Sequence, residues 1–306
     1  MSNASPSPAF PYSFSRYLAA KKEVDDRALN QHVWGVMAQS VCPAQTGAPL
    51  RLLEVGCGIG TMWGRLVSRG FGPRAGSLAK PLHYFGVDVN EELILRARET
   101  YSLMLAQKDG VGKDWHARFS QADLFALPPA IQAEAPFDLL IAHAVLDLLH
   151  IPHALPVLFS YLRPGGIFYF TLNFDGETIF QPEHPDDVAI LASYHRSMDE
   201  RITHGQPSGD SCTGRHLFAH IKNAGGEILA AGSSDWVVFP GPDGYPGDEA
   251  YFLQHILHFF EQSLTARSDV AGDALAGWLA LRHQQIEQGN LVFIAHQLDI
   301  AGRIPS

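Results

Sequence analysis

The sequence predicts an α/β fold built on a largely parallel sheet with helices on both faces, and three observations carry that expectation. Apolar strand-like runs alternate with segments of helical period between Leu50 and Phe174. The first run, LRLLEV, passes into a glycine loop, GCGIG, and then into a helical segment. The fourth, FDLLIAHAVL (137–146), is apolar almost throughout, as a strand covered on both faces must be. Alternation of this kind is the signature of parallel strands joined by helical crossovers.

Each element has its own local reason. The opening MSNASPSPAFPYSF is Ser/Pro-rich and reads as a tail without the cationic and apolar regions of a secretory signal. Residues 14–41 have helical period, with Leu18, Val24, Leu29, Val33, Val36 and Met37 expected inside and Asp25 expected to cap a second helix. After the glycine loop and its helix, FGPRAGSLAK before Pro81 lacks periodicity and reads as a loop insertion. LHYFGVDV (82–89) is a second strand, with a helix starting at Asn90, and WHARFSQAD (115–123) is a third. HALPVLFSYL is a short helix stopped by RPGG, and GIFYFTLNF (166–174) is a fifth strand. Farther on, GRHLFAHIKNAGG is a helix with a glycine stop, followed by a strand in EILAAGSSDWVVF. A turn-rich passage, apolar helices to about Gln288 and a last strand, NLVFIAHQLDI (290–300), complete the chain. There is no internal repeat and no low-complexity linker, so residues 1–306 are expected to form one elaborated domain.

Composition narrows the function classes. With 46% hydrophobic and 18% charged residues, the 306-residue chain can bury a large core. A formal charge of −10 without a dense Lys/Arg run argues against nucleic acid as a partner, because phosphate backbones are held by clustered cations. No apolar run reaches the length of a membrane span. Three cysteines, Cys42, Cys57 and Cys212, form no CxxC pair, which fits a reducing cytoplasm.

The glycine loop sits where a backbone can approach a ligand and where a helix N-terminus offers free N–H groups. A dinucleotide fingerprint would put a small residue at the third position after Gly58, where Thr61 stands. A phosphate loop would need Lys followed by Ser or Thr after its last glycine, and no such Lys is present.

The pattern instead resembles the first motif of the class I S-adenosylmethionine-dependent methyltransferases: an acidic residue, Glu54, ahead of Gly56, Gly58 and Gly60. The resemblance continues through GVDVN, which places Asp88 and Val89 at the second strand end, and QADLFAL, which places Asp123 and Leu124 after the third. FDLLIAHAVLDLL and LRPGGIFYF match the fourth strand and the turn before the fifth, so residues 50–175 are covered. It implies a Rossmann-like, doubly wound, mostly parallel seven-stranded sheet with an antiparallel last strand. A helical preface and a helical insertion before the last strand would complete it. The parts would be an N-terminal tail and helical lid (1–50), a cofactor-binding half (51–176) and a substrate-side half (177–306). It implies S-adenosyl-L-methionine as cofactor, with Asp88 on the ribose hydroxyls, Asp123 on the adenine amine, Leu124 beside the ring, and His143 near the methionine part. The span from Gly56 to Asp88 exceeds the roughly 20 residues of a compact unit, which the loop insertion accounts for.

Beyond the cofactor, His143, Asp147 and His150 lie at or past the fourth strand end, where a neutral imidazole is a candidate base for the acceptor's proton. Asn173 and Asp175 follow the fifth strand. Tyr194, His195 and Trp236 are expected acceptor contacts, and His143, Tyr194 and His195 are the catalytic candidates. Tyr17, Lys21 and Arg27 of the preface are candidates to reach the cofactor's carboxylate. The fifteen histidines include three helically spaced pairs, His150/His153, His216/His220 and His255/His258, but none has the additional partners of a metal motif, so no metal is expected. The expected reaction is in-line methyl transfer to a small, partly apolar acceptor. The alternatives are a nicotinamide-dependent oxidoreductase and a non-catalytic adenosyl-ligand-binding module.

Overall fold

The computed structural model describes residues 12–41, 48–69, 71, 81–107, 114–203 and 205–306. The expected N-terminal tail up to residue 11, Cys42 and the loop insertion at 72–80 lie outside the described residues.

Two helices open the fold, α1 (Phe14–Ala28) and α2 (Gln31–Ser40). The alternating part is β1 (Leu50–Val55), α3 (Thr61–Ser68), β2 (Leu82–Asp88), α4 (Glu91–Gln107), β3 (Trp115–Gln121), α5 (Pro129–Gln132), β4 (Phe137–His143), α6 (Ile151–Ser160) and β5 (Leu162–Gln181). A single 3₁₀ turn, Leu146–Leu148, follows β4. Then come α7 (Asp187–Asp199), a small hairpin of β6 (Ile202–Thr203) and β7 (Gln206–Pro207), α8 (Thr213–Asn223), β8 (Glu227–Ser233) and β9 (Trp236–Val238). Two long helices, α9 (Glu249–Leu264) and α10 (Gly272–Glu287), precede the last strand, β10 (Val292–Arg303).

The main sheet runs β3-β2-β1-β4-β5-β10-β8, with β9 also pairing β10. The first five strands are mutually parallel, and β10 is antiparallel to β5, β8 and β9. This is the expected Rossmann-like architecture with one refinement. The sixth strand of the sequence reading is broken in two, so the sheet has eight strands. The break falls at Ser234 and Asp235, where the Asp235 carboxylate turns to His296 Nδ1 at 2.8 Å. Strand β5 extends well beyond Phe174 because β10 pairs with it from Gln181 back to Ile167.

Asn90 caps α4 as its position suggests, its Oδ1 accepting the Glu92 and Leu93 amides at 2.9 and 3.3 Å. Asp25 does not cap a helix. Helix α1 continues past it to Ala28, and Asn30 caps α2 by accepting the amides of His32 and Val33, both at 3.1 Å. The carboxylate of Asp25 is instead buried and committed to cationic side chains. Val24, Leu29, Val33 and Met37 are buried as expected, while Leu18 and Val36 are half-buried.

Apolar side chains fill three regions. Two of them cover the faces of the parallel sheet, one under α2, α3 and α4 and the other under α6 and α8. The third joins α1, α7, α9 and α10 to the far ends of β5 and β10. The carboxyl ends of β1, β2 and β4 open between the sheet and this third region. Two non-glycine residues there adopt left-handed backbone, Ala144 (φ 53°) and Leu172 (φ 54°). The Leu172 amide donates to the buried Asp299 carboxylate at 2.8 Å, where the β5–β10 register shifts between Leu298 and Ile300. Left-handed backbone at such residues costs of order 1–3 kcal/mol and persists only when neighbours hold it.

Candidate active site

The loop after β1 is shaped by three glycines at positive φ: Gly56 (64°), Gly58 (53°) and Gly60 (78°). A Cβ on Gly56 would meet Val145 Cγ2 at 2.8 Å. The Gly58 amide donates to Asp88 Oδ2 at 2.9 Å, and the Asn90 amide donates to Asp88 Oδ1 at 2.9 Å. One carboxylate at the end of β2 thus fixes both loops that flank it.

A cavity of about 410 Å³ lies along these loops. Of the expected cofactor residues, Glu54, Gly56, Gly58, Asp88, Val89, Leu124 and His143 line it. Gly60 and Asp123 stand off its wall. A Cβ on Gly60 would meet Phe119 at 3.2 Å and Ala97 at 3.3 Å, so close packing explains that glycine. Asp123 is exposed and accepts the Phe125 amide at 2.9 Å, leaving Ala122 and Leu124 on the wall. Val89 lines the cavity with 68% of its surface open, an apolar side chain facing a space rather than a core. Glu54 is buried and takes the Tyr84 hydroxyl. Burial pushes its carboxyl well above the ordinary range, with Asp88 adding to the shift and Arg65 opposing it.

Behind this cavity lies a buried ionic cluster centred on Asp25. Its Oδ2 meets Lys21 Nζ at 2.5 Å, His143 Nε2 at 3.1 Å and Arg65 Nη2 at 3.4 Å, while Oδ1 accepts Trp236 Nε1–H at 2.9 Å. Burial alone would raise the Asp25 carboxyl, but Lys21, His143 and Arg65 outweigh it and hold the group well below the carboxylate range. His143 also contacts Arg65 Nη1 at 2.9 Å through Nε2 and Thr171 Oγ1 at 2.7 Å through Nδ1, so both ring nitrogens are engaged. Burial and then Arg65 lower its pKa to about 4, so the ring is neutral at pH 7. Burial likewise lowers Lys21, against the pull of Asp25.

A second cavity, about 350 Å³, adjoins the first, and Phe14, Leu18, Lys21, Ala144 and Leu148 line both. Its wall is aromatic, with Phe174, Trp236, Phe259, Phe260 and Phe293. Its polar groups include Asp147, Tyr194, Arg201 and Gln297. Tyr194 stacks on Phe260 with centroids 3.9 Å apart, and burial pushes its phenol up to about 12. His195 stands behind the wall, with Nε2 3.3 Å from Thr178 Oγ1 and its ring beside Phe174. Trp236 and Tyr17 are on the wall.

Other candidates lie elsewhere. Arg27 pairs with Glu249 at 2.6 Å, Asp175 holds Arg215 at 2.8 Å, and Asn173 donates to the Leu298 carbonyl at 2.8 Å. His150 precedes α6 and lines neither cavity. Sequence reading did not single out Arg65. Its one signal was the i,i+4 spacing from Thr61, whose hydroxyl it contacts at 3.1 Å. Among the described residues no group of three His, Cys, Asp or Glu side chains is placed to hold a metal ion, and no helix is long and apolar enough to cross a membrane.

The arrangement therefore offers a carboxylate-bearing, partly apolar cavity at the sheet's carboxyl edge, joined to an aromatic chamber. Comparison with known proteins gives the family. A family model described as a methyltransferase domain matches residues 48–203. A methyltransferase-like crystal structure from Bacillus halodurans is 12% identical, covering 90% of this chain and 100% of that one, with a TM-score of 0.50. A methyltransferase structure from Methanosarcina mazei is 13% identical, with 90% and 98% covered and a TM-score of 0.47. The cyclase SpnF is 16% identical, with 95% and 94% covered and a TM-score of 0.46. No curated protein matches the chain.

Proposed function

The chain belongs to the methyltransferase-domain family, and we propose that it methylates a small, partly apolar acceptor held in the second cavity. It is an S-adenosylmethionine-dependent enzyme. The cofactor supplies a methyl group on a sulfonium centre, open to in-line displacement by a nucleophile.

The first cavity suits that cofactor by its donor and acceptor set. Asp88 spends one interaction of each oxygen on a backbone amide, and a carboxylate keeps further lone pairs for a vicinal diol. Val89 and Leu124 offer apolar surface to a purine. Gly56 and Gly58 put no side chain into the cavity at their positions, and the Asp88 carboxylate makes it favourable to a cation. In this reading Asp123, next to Leu124, serves the adenine amine from the rim, and Gly60 sets the loop's path. His143, neutral and engaged at both nitrogens, positions Arg65 and Asp25 rather than moving a proton. Tyr194 faces the acceptor, and His195 supports Phe174 from behind. Catalysis would rest mainly on holding two reactants in line in a space closed to water.

The observation that carries the proposal is the shared wall. Phe14, Leu18, Lys21, Ala144 and Leu148 border both cavities, so a ligand in one meets a ligand in the other. The test is transfer of a labelled methyl group to a panel of small phenols, amines, thiols and carboxylic acids. Ser263→Trp should project a large ring into the second cavity from α9, raising acceptor KM or abolishing turnover while calorimetry finds cofactor affinity unchanged. Parent turnover in a folded Ser263→Trp protein would remove the acceptor from that cavity.

A further inference from the structure

We infer that the second cavity takes an uncharged, hydroxyl-bearing aromatic acceptor and that Asp147 accepts its proton. The inference rests on the methyl-transfer reading and adds the acceptor class and a catalytic residue.

The first argument is charge. Lys21, Asp147 and Arg201 border this cavity, Asp25, Asp26 and Arg65 stand behind it, and the six signs cancel. Lys21 is paired with Asp25 at 2.5 Å. Arg201 and Asp147 face the cavity with opposite charges and make no ion pair with each other. An anion or cation placed among these aromatic walls would leave one charge uncompensated in a poorly polarisable space. A neutral aromatic ring matches the wall of Phe174, Trp236, Phe259, Phe260 and Phe293.

The second argument is availability. Methylation of a neutral hydroxyl leaves a proton that must go to a group with a free lone pair. Asp25 is taken up by Lys21, Arg65, His143 and Trp236, and both nitrogens of His143 are engaged. Asp147 is different: among the described residues its carboxylate accepts no hydrogen bond from another residue. The groups acting on it are Lys21 from α1 and Arg201 beyond α7, and it in turn acts on Tyr17 of α1 and Tyr194 of α7. Burial raises its pKa despite its own backbone amide and those two cations, which strengthens it as a base.

The third argument is position. Asp147 stands between Ala144 and Leu148, both of which border both cavities. It lines the second cavity beside these residues, which form the junction where acceptor and methyl group must meet. In the step, the hydroxyl proton passes to a carboxylate oxygen of Asp147. The oxygen's electron pair forms the new O–CH₃ bond, and the pair of the breaking C–S bond stays on sulfur, which becomes a neutral thioether. The proton then leaves Asp147 to solvent.

The experiment compares wild type with Asp147→Asn, using 4-nitrophenol and the much less acidic 4-methylphenol. In cofactor-free wild-type protein, bound 4-nitrophenol should show a band shifted toward that of the phenolate, because its hydroxyl donates to a carboxylate. In Asp147→Asn it should bind with a phenol-like band. In turnover, Asp147→Asn should lose about 100-fold or more in kcat with 4-methylphenol and its acid limb in the pH profile. Above the pKa of 4-nitrophenol, where that acceptor is already ionised, most of the loss should be recovered. Cofactor affinity by calorimetry should be unchanged. Identical spectra and pH profiles in the two proteins would overturn the role of Asp147. Methylation of amines or thiols but of no phenol would overturn the acceptor class while leaving methyl transfer intact. Failure to bind S-adenosylmethionine would overturn the underlying reading.

Discussion

Lys21 and Asp25 stand one helical turn apart on α1 with Nζ and Oδ2 at 2.5 Å and side chains only 7% and 3% exposed. Two charges so far from water are tolerated because Arg65, His143 and Trp236 complete the set around the carboxylate. The pair ties the N-terminal helix to α3 and to the end of β4, placing Lys21 on the wall of both cavities.

Removing the centre of that cluster should be costly. Asp25→Ala leaves Lys21 as a buried cation without its anion and Arg65 with Asp26 alone, a change that typically costs about 3–5 kcal/mol. Denaturant unfolding should show it as a lower midpoint at unchanged slope. A loss under about 1 kcal/mol would mean that the cluster relaxes into water.

The same groups set an acid dependence. His143 falls from 6.5 to about 4 in the folded protein, so between those values the unfolded chain binds the proton and the folded one does not. Its contribution is therefore present above pH 6.5 and declines as pH falls toward 4. Asp25 is also depressed, so its contribution is present above about 3.9, the ordinary Asp value, and is lost below it. Unfolding free energy should thus fall in two successive windows on acidification. Asp25→Asn should remove the lower one, and a variant with the wild-type acid slope below pH 4 would contradict the assignment.

Cofactor affinity should depend strongly on Asp88. Asp88→Ala removes interactions of a charged acceptor with the ribose and also releases Gly58 and Asn90, so a loss on the order of 2–4 kcal/mol is expected by calorimetry. NAD and NADP should give no binding heat. A folded Asp88→Ala protein with parent affinity would mean the carboxylate serves the loops alone.

Turnover should survive exhaustive dialysis against a chelator, since the reading gives no step to a metal ion. Activity lost on dialysis and restored by one divalent ion would refute it.

How much of this was legible depended on sequence distance. The glycine loop, Asp88 and the Asn90 cap are local patterns, in which neighbouring residues state their own geometry. So is the strand–helix alternation, and the residues from Leu50 to Phe174 were placed nearly in register. The cluster around Asp25 was hidden because its members lie up to 211 residues from Asp25 and only the folded topology assembles them. Asp25 looked like a helix cap because acidic residues often are, and tertiary pairing overrode that local preference. The left-handed turn at Leu172 was equally silent, for nothing in an apolar strand announces that a distant Asp299 will hold its amide. The displacement of His195 from the cavity wall, while its neighbour Tyr194 lines it, follows the same rule. Consecutive residues of a helix face different ways, and only packing of α7 decides which faces inward.

Helix α1 gives Phe14, Leu18 and Lys21 to both cavities at once, and that has a thermodynamic consequence. Two ligands that press on the same side chains of one helix exchange free energy through them. If a seated acceptor tightens cofactor binding by some factor, the cofactor must tighten acceptor binding by that same factor. A ligand that pushes the helix away would weaken the other in equal measure. Affinities measured for either ligand alone therefore need not describe the ternary complex, and the ratio between the two conditions reports directly on how stiffly the first helix is held.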